Sequence, residues 1–138
     1  MSLWLFKQEP DCYSLSDLER DRTTLWDGVT NALARKNLRA CKPGDRVFFY
    51  HTGKEKAVVG EMEIVGGPRT DSKSDDPKNV AVEVKLVRRL KRPVTLAEIK
   101  ADKLLADWDL VLLPRLSVVP TSREQWQRVL ALAANVVV

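Results

Sequence analysis

Residues 23–37 read Thr-Thr-Leu-Trp-Asp-Gly-Val-Thr-Asn-Ala-Leu-Ala-Arg-Lys-Asn, and the rest of the chain is arranged around them. Trp26 is followed at once by Asp27 and Gly28, a turn pair that tolerates positive φ. A helix is expected to start near Asn31, so an aromatic ring, a carboxylate, a flexible backbone and a helix N-terminus converge within a few residues. A flat heteroaromatic ligand needs a ring to stack on, an acceptor for its N–H groups, and backbone amides for its edge or phosphate. The competing reading makes Trp26 a core residue that closes a loop, as most tryptophans are largely structural.

Working outward, Ser2 to Phe6 is a short apolar run with aromatics, the pattern of a buried strand, and the segment Lys7 to Asp11 ends it through Pro10. Ser14 or Ser16 can cap a short helix over Leu15 to Arg20, and Ser16 with Glu19 fits a capping box. Thr23 to Val29 is then the central loop. The helix from Asn31 to Ala40 is expected to turn Leu33, Asn37, Leu38 and Cys41 inward, with Arg35, Arg39 and Lys42 as a basic stripe. Arg46 to Thr52 and Ala57 to Val65 read as a hairpin, and residues 66–79 as a polar, mobile loop. Val80 to Leu90 alternates like a half-buried strand, Thr95 with Glu98 caps a short helix, and Leu104 to Leu113 reads as irregular. Arg115 to Val119 is a last strand, and Thr121 with Glu124 caps a final helix with Trp126, Val129, Leu130 and Ala133 inside. About five strands with short helices between them give an α+β fold, a small mixed, mostly antiparallel β-barrel that removes its own edges.

The chain has 138 residues, the size of one domain, expected to span 1–138. No apolar run approaches the roughly 20 residues that span a bilayer, and no signal peptide is recognisable, so a cytoplasmic monomer without a membrane partner is expected. Cys12 and Cys41 read as two reduced, buried thiols. The formal net charge of +4 has a local origin. Residues 31–60 hold seven basic side chains against Asp45 and Glu55, and residues 85–103 hold seven against Glu98 and Asp102. Two basic segments suit a polyanion, with Arg35, Arg39, Lys42, Arg46, Arg88 and Arg89 as expected phosphate contacts.

Catalysis has little to build on. One histidine and two scattered cysteines cannot make a standard zinc site, and no phosphate-binding or nucleophile-elbow motif occurs. Ser117 with His51 is a conceivable nucleophile and base, but their spacing does not support the pair. Binding is better provided for: Trp4, Tyr13, Trp26 and Tyr50 supply rings, and Lys7, Arg46 and Arg115 supply cations, for one mouth of a barrel. Single-stranded or flipped bases are held by such stacking with hydrogen bonds to their edges.

The motifs Trp-Leu-Phe-Lys-x-Glu-Pro (4–10), Tyr-Ser-x-x-Asp-Leu (13–18), Thr-x-Trp-Asp-Gly-Val-x-Asn (24–31), Ala-Arg (34–35), Gly-Asp-Arg-Val-x-Phe-Tyr-His (44–51), Lys-Arg-Pro-Val-Thr-Leu-Ala-Glu-Ile-Lys-Ala (91–101) and Arg-Leu-Ser-Val-x-Pro (115–120) occur in order. Together they resemble the EVE domain family of the PUA-like group over nearly the whole chain. The resemblance implies a PUA-like β-barrel of about five to six strands with peripheral short helices. It also implies a pocket for a modified base in DNA or RNA, similar to that of YTH domains, without catalysis or cofactor, and open to small anions. Its pocket positions correspond to Trp4, Lys7, Trp26, Asp27, Gly28, Val29, Asn31, Tyr50, His51, Arg115, Leu116 and Ser117, beside the ring of Tyr13. The alternative is an enzyme or enzyme subunit acting on a small anionic or nucleotide ligand in the same pocket. Gln8, Thr30 and Ala32 depart from the family's usual residues and alter the pocket rim, hence ligand choice.

Overall fold

The structure, a computed structural model, describes residues 1–134. Its strands are β1 (Leu3–Gln8), β2 (Thr23–Trp26), β3 (Arg46–His51), β4 (Ala57–Thr70), β5 (Val80–Thr95) and β6 (Val118–Thr121). Its helices are α1 (Leu15–Asp21), α2 (Ala32–Ala40), α3 (Leu96–Ala101), α4 (Asp109–Leu112) and α5 (Arg123–Ala133). The strands form one sheet in the order β2-β5-β4-β3-β1-β6. Only β1 and β3 are parallel, with Lys7 opposite Tyr50 and Gln8 opposite His51. No helix among the described residues is long and apolar enough to cross a membrane.

Alternation along the strands separates two packed faces. Phe6, Trp26 and Phe49 meet on the inner one, with the Trp26 ring centroid 5.4 Å from Phe6 and 5.3 Å from Phe49. On the other face Phe48 stacks on Trp126 of α5 at 3.7 Å. Each such ring withdraws enough apolar surface to stabilise the fold by roughly 1.5–3 kcal/mol. Gly60 of β4 sits under Leu15 of α1: a Cβ there would come within 2.7 Å of the end of the Leu15 side chain, which would have to shift.

The expected closed barrel is corrected. The sheet bends through repeated irregularities between β4 and β5, but β2 and β6 remain separate ends, each of four residues. Helix α2 packs against both β5 and β6. From it Asn37 Nδ2 donates to the Val118 carbonyl of β6 at 2.8 Å, so a side chain occupies an acceptor that another strand would have taken in a closed barrel.

Local departures have local causes. Thr23 to Trp26, expected in a loop, is a strand because it pairs with β5, Trp26 opposite Val82. The α1 cap is Ser14 with Asp17, while Ser16 accepts a hydrogen bond from Arg89. The α5 cap is Ser122 with Gln125, because Thr121 is still paired with Leu3 in the sheet. The Thr95–Glu98 box stands as expected, and the Arg92 guanidinium beside Glu98 holds its carboxyl down at about 2. β4 and β5 both run further than expected, which shortens the loop between them to 71–79. Leu33 is exposed and Ala34 takes the inward position, and Cys12 is exposed while Cys41 is buried.

Candidate functional site

The end of β2 and the end of β1 frame a cavity of about 430 Å³ lined by Gln8, Tyr13, Trp26, Asp27 and Lys73, among others. That is within the roughly 300–1,000 Å³ of small-molecule sites. Trp26 is wedged between Phe6 and Phe49 with 5% of its surface exposed, so it is both core residue and cavity wall. Asp27 Oδ2 is buried and accepts no hydrogen bond among the described residues; Lys73 Nζ approaches to 3.4 Å, out of hydrogen-bonding geometry, on an otherwise exposed side chain. A buried acceptor without a donor is costly, and it marks a place where a ligand donor would be stabilised. The Tyr13 hydroxyl donates to Asp21 at 2.9 Å, and burial raises its pKa.

The turn at Gly28 has the positive φ expected, +74°. Its amide is not free for a ligand, since it donates to Asp71 Oδ2 at 3.1 Å. Asn31 is the N-cap of α2, its Oδ1 accepting from the Ala34 amide at 3.0 Å, and Val29 is buried in the core.

The remaining expected pocket residues fall in other places. Lys7 and Tyr50 line a second cavity, of about 270 Å³. There Lys7 Nζ donates to the Pro114 carbonyl at 2.8 Å and lies 5.7 Å from the Tyr50 ring centre. Burial lowers the Lys7 pKa and pushes the Tyr50 hydroxyl up to about 12. Asn31, Arg115 and Leu116 line a third, apolar cavity with exposed Leu33 and Leu112. Ser117 accepts the Lys7 amide through its carbonyl at 3.0 Å. Trp4 lies elsewhere, its indole N–H donating to Asp45 at 3.0 Å. His51 is buried, and both ring nitrogens are engaged: Nε2 accepts from the Leu15 amide at 3.0 Å, so Nδ1 carries the proton that faces Glu55 Oε1 at 2.6 Å. Neither nitrogen is left to act as a base toward Ser117.

All five arginines expected on phosphates have partners within the chain. Arg35 binds Asp76 and Asn79, Arg39 the Lys78 carbonyl, Arg46 and Arg88 share Glu61, and Arg89 binds Glu19. Two aspartates that organise the fold do not stand out as such in the sequence, and only Asp71 bears on the Trp26–Asp27 turn. Asp45 gathers Ser2 N–H, the Trp4 indole and Lys42 N–H, and Asp71 ties the 71–79 loop to Gly28. Their partners lie more than 40 residues away in most cases, and the only local signal is an aspartate flanked by turn residues.

Comparison with known proteins bears on this geometry. The family model described as "EVE domain" matches residues 2–132. Thymocyte nuclear protein 1 of Homo sapiens is 38% identical across 95% of this chain and 73% of its own length. The solution structure of a protein of Rhodopseudomonas palustris superposes with a TM-score of 0.92 at 35% identity, covering 100% of this chain and 97% of its own. The human protein crystallised in complex with 5-methylcytosine-containing DNA superposes at 0.86 and 35% identity, covering 96% and 98%. An ASCH protein of Zymomonas mobilis, 13% identical, shares the fold alone, with a TM-score of 0.59 over 95% of each chain. The expected cytoplasmic location is corrected by these matches, because the curated relatives are named as nuclear proteins. The features behind that expectation, no recognisable signal peptide and no apolar run of membrane length, do not distinguish nucleus from cytoplasm.

Proposed function

We infer the function from one premise: this chain belongs to the EVE domain family. Its role on that premise is to bind nucleic acid and hold a modified base, without chemistry, in the cavity walled by Trp26 and Asp27. The observation that carries the reading is the buried Asp27 Oδ2 beside the Trp26 ring, which accepts no hydrogen bond among the described residues and has only the exposed Lys73 ammonium near it. A carboxylate accepts from the exocyclic amino group of cytosine, and a stacked ring holds the base plane. The human relative solved with 5-methylcytosine-containing DNA supports a cytosine-type base as the first ligand to test. The engagement of both His51 nitrogens supports binding over hydrolysis.

The test is a titration of this chain with matched duplexes carrying 5-methylcytosine or cytosine at one position, at fixed ionic strength. Burying one extra methyl is worth about 0.8 kcal/mol, so the modified duplex should bind about fourfold tighter. Equal affinity for the two duplexes would reduce the protein to a general nucleic-acid binder, and no binding to either would end the reading.

A further inference from the structure

Lys7 and Gln8 are consecutive on β1 and point to opposite faces of the sheet. Gln8 borders the Trp26–Asp27 cavity, and Lys7 borders the cavity of about 270 Å³ on the other side of the strand end. The polar groups lining that second cavity are Lys7, Tyr50, Thr52, Lys56 and Lys100, with no carboxylate among its lining residues. Lys56 and Lys100 make no salt bridge among the described residues, and Lys7 gives its ammonium only a carbonyl, that of Pro114, and a ring face, that of Tyr50. Thr52 Oγ1 is buried with no hydrogen-bond partner among the described residues. An adjoining cavity of about 320 Å³ shares Lys56 and Lys100 and adds Lys54; the carboxylate in its wall, Glu55, is held on His51 Nδ1.

We propose that the cavity lined by Lys7, Thr52, Lys56 and Lys100 is a phosphate site, which takes the backbone phosphate of the nucleic-acid strand whose base enters beside Trp26. The proposal rests on the functional reading above for the source of the phosphate. The site itself rests on three cationic side chains, an orphaned hydroxyl and the absence of any carboxylate among the lining residues. Lysine is suited to such a task as a point charge with three donors, and the Thr52 hydroxyl can donate to an anion oxygen that nothing in the protein supplies. The contrast with the arginines is direct. All five arginines expected on phosphate already spend donors on carboxylates, an amide or a carbonyl of this chain. Lys56 and Lys100 make no salt bridge among the described residues, and Lys7 spends one of its three donors on the Pro114 carbonyl.

The experiment compares parent, Lys56→Gln/Lys100→Gln and Arg35→Gln/Arg39→Gln on the 5-methylcytosine duplex across a salt series. Circular dichroism melts confirm that each variant is folded. Each phosphate contact contributes about 0.9 to the slope of log affinity against log salt, so loss of both lysines should flatten it by roughly 1.8. The arginine pair should leave the slope within experimental scatter. An unchanged slope in the lysine variant, with the loss in the arginine variant instead, overturns the proposal. If the parent binds no duplex, the functional reading has failed and the site is judged by inorganic phosphate alone. Phosphate should then shift the backbone amide resonances of Lys7 and Thr52 in the parent but not in the lysine variant. A response in the parent assigns the site to free phosphate or a nucleotide, and no response removes it.

Discussion

The tryptophan–aspartate pairs Trp4–Asp45 and Trp26–Asp27 have opposite characters. Trp4 and Trp26 are buried to nearly the same extent, 7% and 5% exposed. Asp45 beside Trp4 is saturated: it accepts from the Ser2 amide at 2.9 Å, the Trp4 indole at 3.0 Å and the Lys42 amide at 2.9 Å. Asp27 beside Trp26 has one buried oxygen that accepts no hydrogen bond among the described residues, faced by the Lys73 ammonium at 3.4 Å, and it lines a cavity. Residue type and burial do not separate the two pairs. Hydrogen-bond saturation does, since a satisfied carboxylate has nothing left to offer a ligand. The first pair is a clamp on the chain terminus and the α2–β3 turn; the second is the better candidate for recognition.

The largest expected effect comes from the rings. Trp4→Ala and Trp26→Ala should each cost roughly 3–5 kcal/mol of stability, because each empties a packed site. They should part in binding: Trp26→Ala should also cost roughly 1–3 kcal/mol in affinity for the modified duplex, the value of a lost stacking partner. Urea unfolding and titration of the folded fraction measure the two quantities separately. Equal affinity of both folded variants would erase the distinction between the pairs.

A smaller effect is expected at the clamp. Asp45→Ala strips the acceptor from three donors at once, and leaving part-buried donors unpaired should lower stability by roughly 2–4 kcal/mol. The affinity of the folded fraction should stay at the parent value. A loss below about 1 kcal/mol would mean that water replaces the carboxylate, and that Asp45 is no more structural than Asp27.

The range of their interactions decides how much of these pairs is legible in the sequence. The Trp-Asp-Gly turn, its positive φ and the α2 start at Asn31 depend on neighbours in sequence, and they read correctly. The Thr95–Glu98 box does so for the same reason. At Ser14 and Ser122 the choice between overlapping boxes is settled by distant partners: Leu15 N–H reaches His51, and Thr121 is held in β6 by Leu3. Closure of the sheet is misread because it depends on where β2 and β6 end in space, and α2 lies against both β5 and β6. The arginines are read from their clustering in sequence, whereas Glu61, Glu19 and Asp76, which bind them, lie 15, 70 and 41 positions away. The saturation of Asp45 and the unpartnered oxygen of Asp27 are likewise products of tertiary structure.

The smallest expected change in stability is also the most informative. Asp27→Asn keeps the side-chain volume and removes a charge that the fold leaves without a hydrogen-bond donor. Nothing in the native structure depends on Oδ2 as an acceptor, and its nearest cation, Lys73, is 77% exposed. An exposed partner of that kind contributes little. The melting temperature should therefore stay at the parent value or rise slightly, a stability change within about 0.5 kcal/mol. Binding should change in kind. The carboxylate only accepts, and so favours a base that presents an amino group; the amide can also donate, and so admits a base that presents a carbonyl. Discrimination between cytosine-type and thymine-type bases should shrink by roughly 1–3 kcal/mol, the usual worth of a well-placed base-edge contact. Parallel melts and titrations with duplexes carrying 5-methylcytosine or thymine at the same position read both quantities. If Asp27→Asn destabilises the protein and leaves its base preference untouched, Asp27 is scaffold like Asp45, and recognition must lie in the Lys7–Tyr50 cavity on the far side of β1.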